Sequence, residues 1–188
     1  MREEKQKSTA ASILSWILYL LIVVVLSFLC VTFVAQRTKV IGQSMYPFLN
    51  DGDQLIVDKI SYRLRDPKRF DVVVFPYRYE QNKNYIKRIV ALPGETIQII
   101  GGEVYINGEK LHDPYGEQIG LMDYAGTAEE PYTLADDEYF VLGDNRNNSK
   151  DSRFGDVGPI LKDELIGRAW LQIYPFSDFG FVSHGEKE

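Results

Sequence analysis

The chain has 188 residues, with 21 lysine and arginine residues against 27 aspartate and glutamate residues, and a formal net charge of −6. This length favours one main domain with attachments. Three of the basic and two of the acidic residues lie within residues 1–10, so the remainder carries −7, which argues against a nucleic-acid partner.

An almost wholly apolar segment lies near the N-terminus, at residues 13–35, ILSWILYLLIVVVLSFLCVTFVA. As a helix it would span about 34 Å, enough to cross a hydrocarbon core of about 30 Å. A cleaved signal peptide is the alternative, because Arg2, Lys5 and Lys7 resemble its basic region. The apolar run exceeds the roughly 7–15 residues of such a peptide, however, and no A-x-A-like site follows. We therefore predict a transmembrane anchor.

The charges on the two sides of this anchor give a weak orientation signal. Three basic residues precede it, and Arg37 and Lys39 follow it closely. The positive-inside rule then slightly favours residues 1–12 in the cytoplasm and residues 37–188 outside. The one cysteine, Cys30, lies in the anchor, so we expect no disulfide in the outer part.

The remainder of the chain has short runs rich in Val, Ile, Tyr and Phe, separated by Gly, Pro, Asn and Asp, a pattern typical of β-strands. The dipeptides Gly101-Gly102 and Asn107-Gly108 predict hairpins. Only around residues 61–70 is there a weak helical pattern, and from Ser183 onwards we expect a frayed tail. The predicted division is a main β-domain at 37–96 and 136–178, an inserted hairpin and cap region at 97–135, and a tail at 179–188.

Residues 42–53, GQSMYPFLNDGD, place one small hydroxyl, Ser44, at the head of an apolar turn. The segment lacks the second glycine of the G-x-S-x-G elbow, and Pro47 prevents a helix directly behind the serine, which disfavours an α/β-hydrolase. A Ser-His-Asp triad needs a well-placed histidine. His112 lies in the polar insert and His184 in the tail, so we expect neither to be the base.

A neutral lysine can replace histidine as a base. Its pKa is about 10.4 in water, and burial that lowers the pKa by about two units would leave about half of it neutral near pH 8. In NYIKRIVALPG, residues 84–94, strand alternation places Lys87 with Tyr85, Ile89 and Ala91. The ordinary alternative is a lysine whose stem lies on the sheet while its ammonium reaches water. The other lysines of the outer part fit that alternative better.

Residues 142–158, LGDNRNNSKDSRFGDVG, form a polar segment. A Ca²⁺ loop is excluded because Arg146 and Ser149 occupy positions that need an acceptor and a glycine. A solvated loop of Asx turns is the plain alternative. The short polar side chains also suit a supporting role, in which Asp151 and Arg153 pair across a turn and Ser149 presents its hydroxyl to a buried amine. We predict no metal site and no cofactor.

In order and in content, these stretches resemble the bacterial type I signal peptidases, or leader peptidases: an anchor, SMYP with Ser44, YIKRIVALPG with Lys87, and GDNRNNSKDSR. The resemblance implies a mainly β fold, in which an antiparallel β catalytic domain with a small inserted β-cap follows one N-terminal transmembrane helix. It also implies that Ser44 is the nucleophile and Lys87 its general base. Further residues are implied in supporting roles, with Ser149 orienting the lysine, Asp144, Asp151 and Arg153 holding the loop, and Gly42, Gln43, Met45 and Pro47 in the substrate and oxyanion region.

Three positions depart from the family pattern. Phe48 stands where threonine is frequent, Glu95 where aspartate is usual, and Gly42 where some members carry a serine that helps to bind the oxyanion. The glycine, the single anchor and the short insert are familiar in Gram-positive members. The lysine base places the chain with bacterial rather than archaeal or endoplasmic-reticulum relatives. We expect main-chain N–H groups, notably that of Ser44, to bind the oxyanion, and Gly42→Ser to be tolerated.

The implied function is a membrane-bound serine endopeptidase that removes signal peptides from exported preproteins with a Ser-Lys dyad. Its expected partners are those signal peptides and the lipid bilayer, with no nucleic acid, and we expect a monomer whose catalytic domain lies on the extracytoplasmic face. Phe75, Tyr77, Trp170 and Phe176 are expected at the lipid surface. Two alternatives remain, a non-catalytic membrane-anchored β-module that binds peptides and a self-cleaving Ser-Lys protease of the repressor type, which the anchor and the acidic balance disfavour.

Overall fold

The computed structural model describes the backbone of residues 2–185, and the side chains within that range except residues 2–8, 10 and 29–33. Cys30 and the last three residues, 186–188, on which some of the expectations fall, therefore lie outside the described side chains. A long helix, α1, spans Arg2–Phe33. Its window Ala11–Phe28 is long and apolar enough to cross a membrane and packs against nothing else in the described chain. The helix ends at Phe33 and the first strand begins at Ala35, so the last two residues of the predicted anchor segment lie beyond α1.

The described residues after α1 form twelve strands, one short α-helix and four 3₁₀ turns. The strands are β1 (Ala35–Lys39), β2 (Gln54–Asp58), β3 (Val72–Pro76), β4 (Asn84–Ala91), β5 (Thr96–Ile100), β6 (Glu103–Ile106), β7 (Glu109–Lys110), β8 (Tyr132–Thr133), β9 (Glu138–Leu142), β10 (Ile160–Leu161), β11 (Gly167–Tyr174) and β12 (Gly180–Phe181). Helix α2 spans Ser61–Leu64, and the 3₁₀ turns are Gly126–Ala128, Arg146–Asn148, Lys162–Glu164 and Phe176–Asp178.

The strands form two antiparallel sheets, and the mainly β, antiparallel fold class is confirmed. The main sheet has the order β1-β2-β11-β3-β4-β9-β10, with β12 paired to β11. The small sheet has the order β7-β6-β5-β8 and lies in the chain between β4 and β9. Both predicted hairpin turns are present, and Asn107 and Gly108 have φ of +53° and +83°, the two positive values that a type I′ turn requires.

The core lies on both faces of the main sheet, because β3 is buried on both sides. Val72 and Val74 contribute to one cluster of buried side chains, and Val73 and Phe75 to another on the opposite face. This explains the unbroken apolar run of β3. Phe75 is 1% exposed, so its expected place at a lipid surface is wrong.

A third cluster joins the small sheet to the end of β4. The register of β4 against β9 shifts between Ile89 and Ala91, so the alternation of faces is broken and Val90 and Ala91 both pack towards the small sheet. The expectation that Ala91 shares a face with Lys87 is therefore wrong.

Residues 183–185 are held by hydrogen bonds, so the expected frayed tail is wrong for them, while residues 186–188 of that tail lie outside the described residues. β12 pairs with β11, Val182 is 8% exposed, and its N–H donates to the carbonyl of Trp170 at 3.0 Å. The side chain of His184 is 9% exposed, and its Nδ1 accepts a hydrogen bond of 3.1 Å from the Val72 N–H. The division of the chain into domains at the predicted boundaries stays a prediction.

Candidate active site

The turn that carries Ser44 connects β1 to β2 and is held by its own apolar side chains. Met45 and Leu49 are each 1% exposed and pack into the cluster that includes Val40. Gly42 donates its N–H to Asp51 at 2.8 Å. The apolar residues of GQSMYPFLNDGD therefore fix the turn from below and leave Ser44, half-buried, at its upper side.

Lys87 lies on β4 opposite Val73 of β3 and reaches this turn. Its Nζ is 2.8 Å from Ser44 Oγ and 2.9 Å from the carbonyl oxygen of Ile86, and the residue is 4% exposed. The Tyr85 ring lies with its centroid 5.1 Å from Nζ. Burial lowers the pKa of Lys87 to about 8, although the carboxylates of Asp151 and Asp144 act in the opposite direction. About half of this amine is therefore neutral near pH 8.

Ser149 lies close to the dyad, but the hydrogen bond expected from it to Lys87 is not formed in this structure. Its Oγ is buried and has no hydrogen-bond partner within residues 2–185. The hydroxyl is close to the Gly143 backbone, because a Cβ built on Gly143 would be 2.1 Å from Ser149 Oγ and 2.5 Å from the Ser44 carbonyl oxygen. The role of Ser149 in orienting the lysine stays a prediction.

Arg88, the neighbour of Lys87 in sequence, forms a buried ion pair that the sequence reasoning missed. Its Nε and Nη2 donate to the two carboxylate oxygens of Asp144, both at 2.8 Å, and the two side chains are 1% and 0% exposed. The guanidinium also lies over the ring of Tyr115, 3.4 Å from the centroid. The sequence could have indicated this pair, since a second charged residue inside an apolar strand needs a buried partner of opposite charge.

The residue after Asp144 connects this ion pair to the turn that carries Ser44. Asn145 donates its backbone N–H to the carbonyl of Ser44 at 3.0 Å, and its side-chain amide to the carbonyl of Gln43 at 3.1 Å. The backbone carbonyls of Gln43 and Ser44 thus both accept hydrogen bonds from Asn145. Asp144 is adjacent in sequence to the residue that holds the Ser44 turn, and its carboxylate also acts to raise the pKa of Lys87.

Asp151 and Arg153 form the second buried ion pair, as the sequence predicts. Nε of Arg153 donates to Asp151 at 2.8 Å, and the side chains are 1% and 0% exposed. Asp151 also accepts the N–H of Gly143 at 3.0 Å, and Arg153 Nη2 donates to the carbonyl of Arg146 at 2.6 Å. The pair closes the loop between residues 143 and 153. A third buried pair, Arg146 with Asp113, connects this loop to the insert and was not predicted.

A cleft of about 600 Å³ opens beside the dyad. One wall is residues 38–41, the end of β1 and the two residues after it, and the other is residues 80–87, with Lys150 at the edge. Of the four residues expected in the substrate and oxyanion region, Met45 lines this cleft. Gly42, Gln43 and Pro47 lie on the turn outside its lining.

The cleft has no arrangement suited to a metal. Within the residues that the structure describes, no three His, Cys, Asp or Glu side chains group as metal ligands do. The chemistry available at the site is that of a hydroxyl beside a buried amine.

The chain matches a known protein family. The model of a family described as signal peptidase, peptidase S26, matches residues 13–174, which is most of the chain. The chain belongs to this signal peptidase family. It is accordingly a serine endopeptidase that removes signal peptides, and the resemblance seen in the sequence is confirmed.

The curated relatives of this signal peptidase family member cover most of the chain. A protein of Synechocystis sp. named probable signal peptidase I-2 is 41% identical over 157 residues, covering 81% of this chain and 69% of the relative. Signal peptidase I of Bacillus amyloliquefaciens is 37% identical over 188 residues, covering 95% and 97%. A crystal structure of a signal peptidase I from Enterococcus faecalis is 30% identical, covers 55% of this chain and 97% of that one, and has a TM-score of 0.44.

The buried pair of Arg88 and Asp144 gives a test of stability. Asp144→Asn leaves the guanidinium buried without a counter-charge, so we expect the free energy of unfolding to fall by about 3–5 kcal/mol. Chemical denaturation of the full-length protein in detergent micelles measures this change. The matched control is Glu80→Gln, which breaks the exposed pair with Lys83 and should leave the midpoint unchanged. Equal losses for both variants would contradict the account.

The backbone at Gly42 contradicts the expectation that Gly42→Ser is tolerated. Its φ is +88°, a region that residues with a Cβ adopt at a cost of about 1–2 kcal/mol. A Cβ at this position would have no atom within 4 Å, so the strain is conformational and not steric. We expect Gly42→Ser and Gly42→Ala to lower kcat/KM alike, while Gly155→Ala, at an exposed glycine, should not. Higher activity of the serine variant than of the alanine variant would show that its hydroxyl binds the oxyanion.

Proposed function

We propose that this enzyme is membrane-bound and cuts signal peptides with Ser44 as nucleophile and Lys87 as general base. The observation that carries the proposal is the distance of 2.8 Å between Lys87 Nζ and Ser44 Oγ, with the lysine almost completely buried. Nucleophilic catalysis requires this combination, a hydroxyl within hydrogen-bond reach of a base whose pKa is lowered by its surroundings.

The reaction follows from that contact. Neutral Lys87 takes the Ser44 proton as Oγ bonds to the scissile carbonyl carbon, and the main-chain N–H of Ser44 supports the oxyanion. Collapse of the tetrahedral intermediate breaks the C–N bond, and the protonated lysine supplies the proton that the leaving amine takes. A water then loses its proton to neutral Lys87 and attacks the acyl ester. As the ester bond breaks, the protonated lysine returns that proton to Ser44 Oγ, which releases the signal peptide and restores both residues.

The cleft supports binding of an extended peptide. Among the described strands, β1 has β2 on one side only. The other edge of its last residues, Thr38 and Lys39, lines the cleft and can accept a substrate strand through main-chain hydrogen bonds. Alternate side chains of such a strand point into the cleft, where Met45, Tyr85 and Ile86 are among the lining residues. Signal peptides carry small residues at the first and third positions before the cut, which suits shallow pockets of this kind.

The bilayer contact is proposed from α1 and from an exposed aromatic surface. Trp170 lies 5.7 Å from Phe181, ring centroid to ring centroid, and is 43% exposed, while Phe176 is 81% exposed. Aromatic side chains of this kind favour the membrane interface. Tyr77, expected at that surface, instead stacks on Tyr85 and donates a hydrogen bond of 2.6 Å to Asp156.

A non-catalytic β-module that binds peptides is the competing proposal from another class. It accounts for the cleft but gives no reason for a buried amine beside a hydroxyl. Ser44→Ala separates the two proposals: it abolishes cleavage of a preprotein by the enzyme, and Ser177→Ala, at an exposed serine, preserves it. A purified chain that binds preprotein and never cuts it would favour the module.

The state of Lys87 predicts the pH dependence. Because the amine must be neutral, kcat/KM should rise with pH through an apparent pKa of about 8. Lys87→Arg should be inactive, since a guanidinium stays protonated. Lys110→Arg, at an exposed lysine of the small sheet, should be fully active. A profile that still rises at about pH 10 would remove Lys87 as the base.

The proposed orientation places the N-terminus in the cytoplasm and residues 37–188 outside. Protease added to intact spheroplasts should therefore digest the soluble domain and leave a short fragment that contains α1. Lysed spheroplasts serve as the control, in which the N-terminal residues also become accessible. Protection of the soluble domain in intact spheroplasts would show that the chain is inverted.

A further inference from the structure

The C-terminal residues Val182–Gly185 are named here the C-terminal clasp. Beyond the hydrogen bond of Val182 to β11, they contact three further parts of the fold. The carbonyl of Ser183 accepts a hydrogen bond from Arg88 Nη1 at 2.9 Å. Nδ1 of His184 accepts the N–H of Val72 at 3.1 Å. The hydroxyl of Tyr115 donates to the carbonyl of Gly185 at 2.9 Å and lies 3.2 Å from Ser183 Oγ. The clasp thus holds β4, β3 and the root of the insert together.

The contact with Arg88 connects the clasp to the dyad. Arg88 Nη1 has two acceptors, the carbonyls of Phe70 and Ser183, both at 2.9 Å. The other guanidinium nitrogens hold Asp144, which is followed by the residue that binds the Ser44 carbonyl. Without the clasp, Nη1 of Arg88 would lose the Ser183 carbonyl as an acceptor. The Tyr115 hydroxyl would lose its hydrogen bond to the Gly185 carbonyl. Arg88, the residue next to Lys87 on β4, would then be free to shift.

His184 has the protonation state that this contact needs. Burial, with a smaller contribution from the positive charges of Arg168 and Arg88, lowers its pKa to about 4, and the carboxylate of Asp71 opposes them. Arg65 and the Tyr62 hydroxyl face the same carboxylate, with hydrogen bonds of 3.2 and 3.1 Å. At neutral pH the imidazole is therefore uncharged, and Nδ1 can accept the hydrogen bond from Val72.

We propose that the C-terminal clasp holds Arg88, and through it Lys87 and Ser44, in the geometry of the reaction, with His184 as a positioning residue. The proposal rests on the proposed Ser-Lys function. Residues 183–185 are not among the residues that line the cleft, whereas Val182 packs in the same buried cluster as Met45 and Ile86, which do line it. The effect of residues 183–185 is therefore on the placement of Lys87 and not on substrate binding. Small displacements of a catalytic group reduce rates strongly, by about 100-fold for about 1 Å.

The first experiment shortens the full-length protein in detergent micelles and measures cleavage of a fluorogenic signal-peptide substrate. A chain that ends at Val182 should show kcat lower by about tenfold or more with KM changed by less than about twofold. The acidic limb of its pH profile should move to higher pH, because Lys87 becomes more hydrated. The matched control ends at Glu186 and keeps the whole clasp, so its kinetics should equal those of the full chain.

The second experiment replaces single side chains and remains decisive if the shortened chain does not fold. In His184→Asn the amide oxygen can stand where Nδ1 stands and accept the Val72 N–H, whereas His184→Leu offers no acceptor. We expect kcat to be lowered by about twofold or less in the asparagine variant and by about fivefold or more in the leucine variant. His112→Leu, at the exposed histidine, should behave as the unmodified enzyme.

The outcomes separate the clasp from the proposed function. Equal kcat values for the asparagine and leucine variants, or a folded shortened chain with unchanged kcat and pH profile, would overturn the clasp alone. So would a loss of activity that matches the unfolded fraction measured by circular dichroism. An unmodified chain that cleaves no signal peptide would overturn the proposed function and the catalytic role of the clasp with it.

Discussion

The amine of Lys87 is kept from water and still reaches Ser44, and this arrangement depends on the packing of the rest of the domain. The residue is 4% exposed and its amine lies 2.8 Å from the hydroxyl. Burial of a charged amine costs free energy, which the protein lowers by letting the group become neutral. The burial is supplied by strands on both sides of β4 and by the turn that carries Ser44. The reactive form of the lysine is therefore a product of packing.

Acting alone, the two carboxylates near the Lys87 amine would favour its protonated form. Asp144 and Asp151 both act to raise the pKa of Lys87, yet burial outweighs them. Each carboxylate is held by its own guanidinium, that of Arg88 or that of Arg153. Such pairs contribute little net stability by themselves, but they fix positions firmly because separating them is costly. Both carboxylates near Ser44 and Lys87 are thus fixed in place by buried ion pairs.

Much of the site could be read from the sequence, because its parts are local. The turn of Ser44, the apolar strand around Lys87 and the pairing of Asp151 with Arg153 each lie within a few residues. The hairpins were equally accessible, since Gly101-Gly102 and Asn107-Gly108 determine their own turns.

The predictions that were wrong or missing share a different cause. They concern residues whose surroundings depend on partners distant in the sequence. Arg88 pairs with Asp144 across 56 positions of sequence and His184 with Val72 across 112. The place of Ala91 depends on a register shift against β9, and that of Phe75 on a cluster covering the second face of the sheet. Periodicity along one strand contains no information about these contacts. The unpartnered hydroxyl of Ser149 likewise depends on how closely Gly143 approaches it.

The junction between α1 and β1 is only one residue long, because the helix ends at Phe33 and the strand begins at Ala35. The carbonyl of the joining residue, Val34, accepts the N–H of Lys59 at 3.0 Å. A chain rises at most about 3.3–3.6 Å per residue, so Ser44 cannot lie more than about 40 Å from the end of the helix. In the membrane-bound enzyme proposed above, no long flexible tether would separate the bilayer from Ser44. The substrate would have to bring its scissile bond to the height above the membrane at which α1 holds that residue.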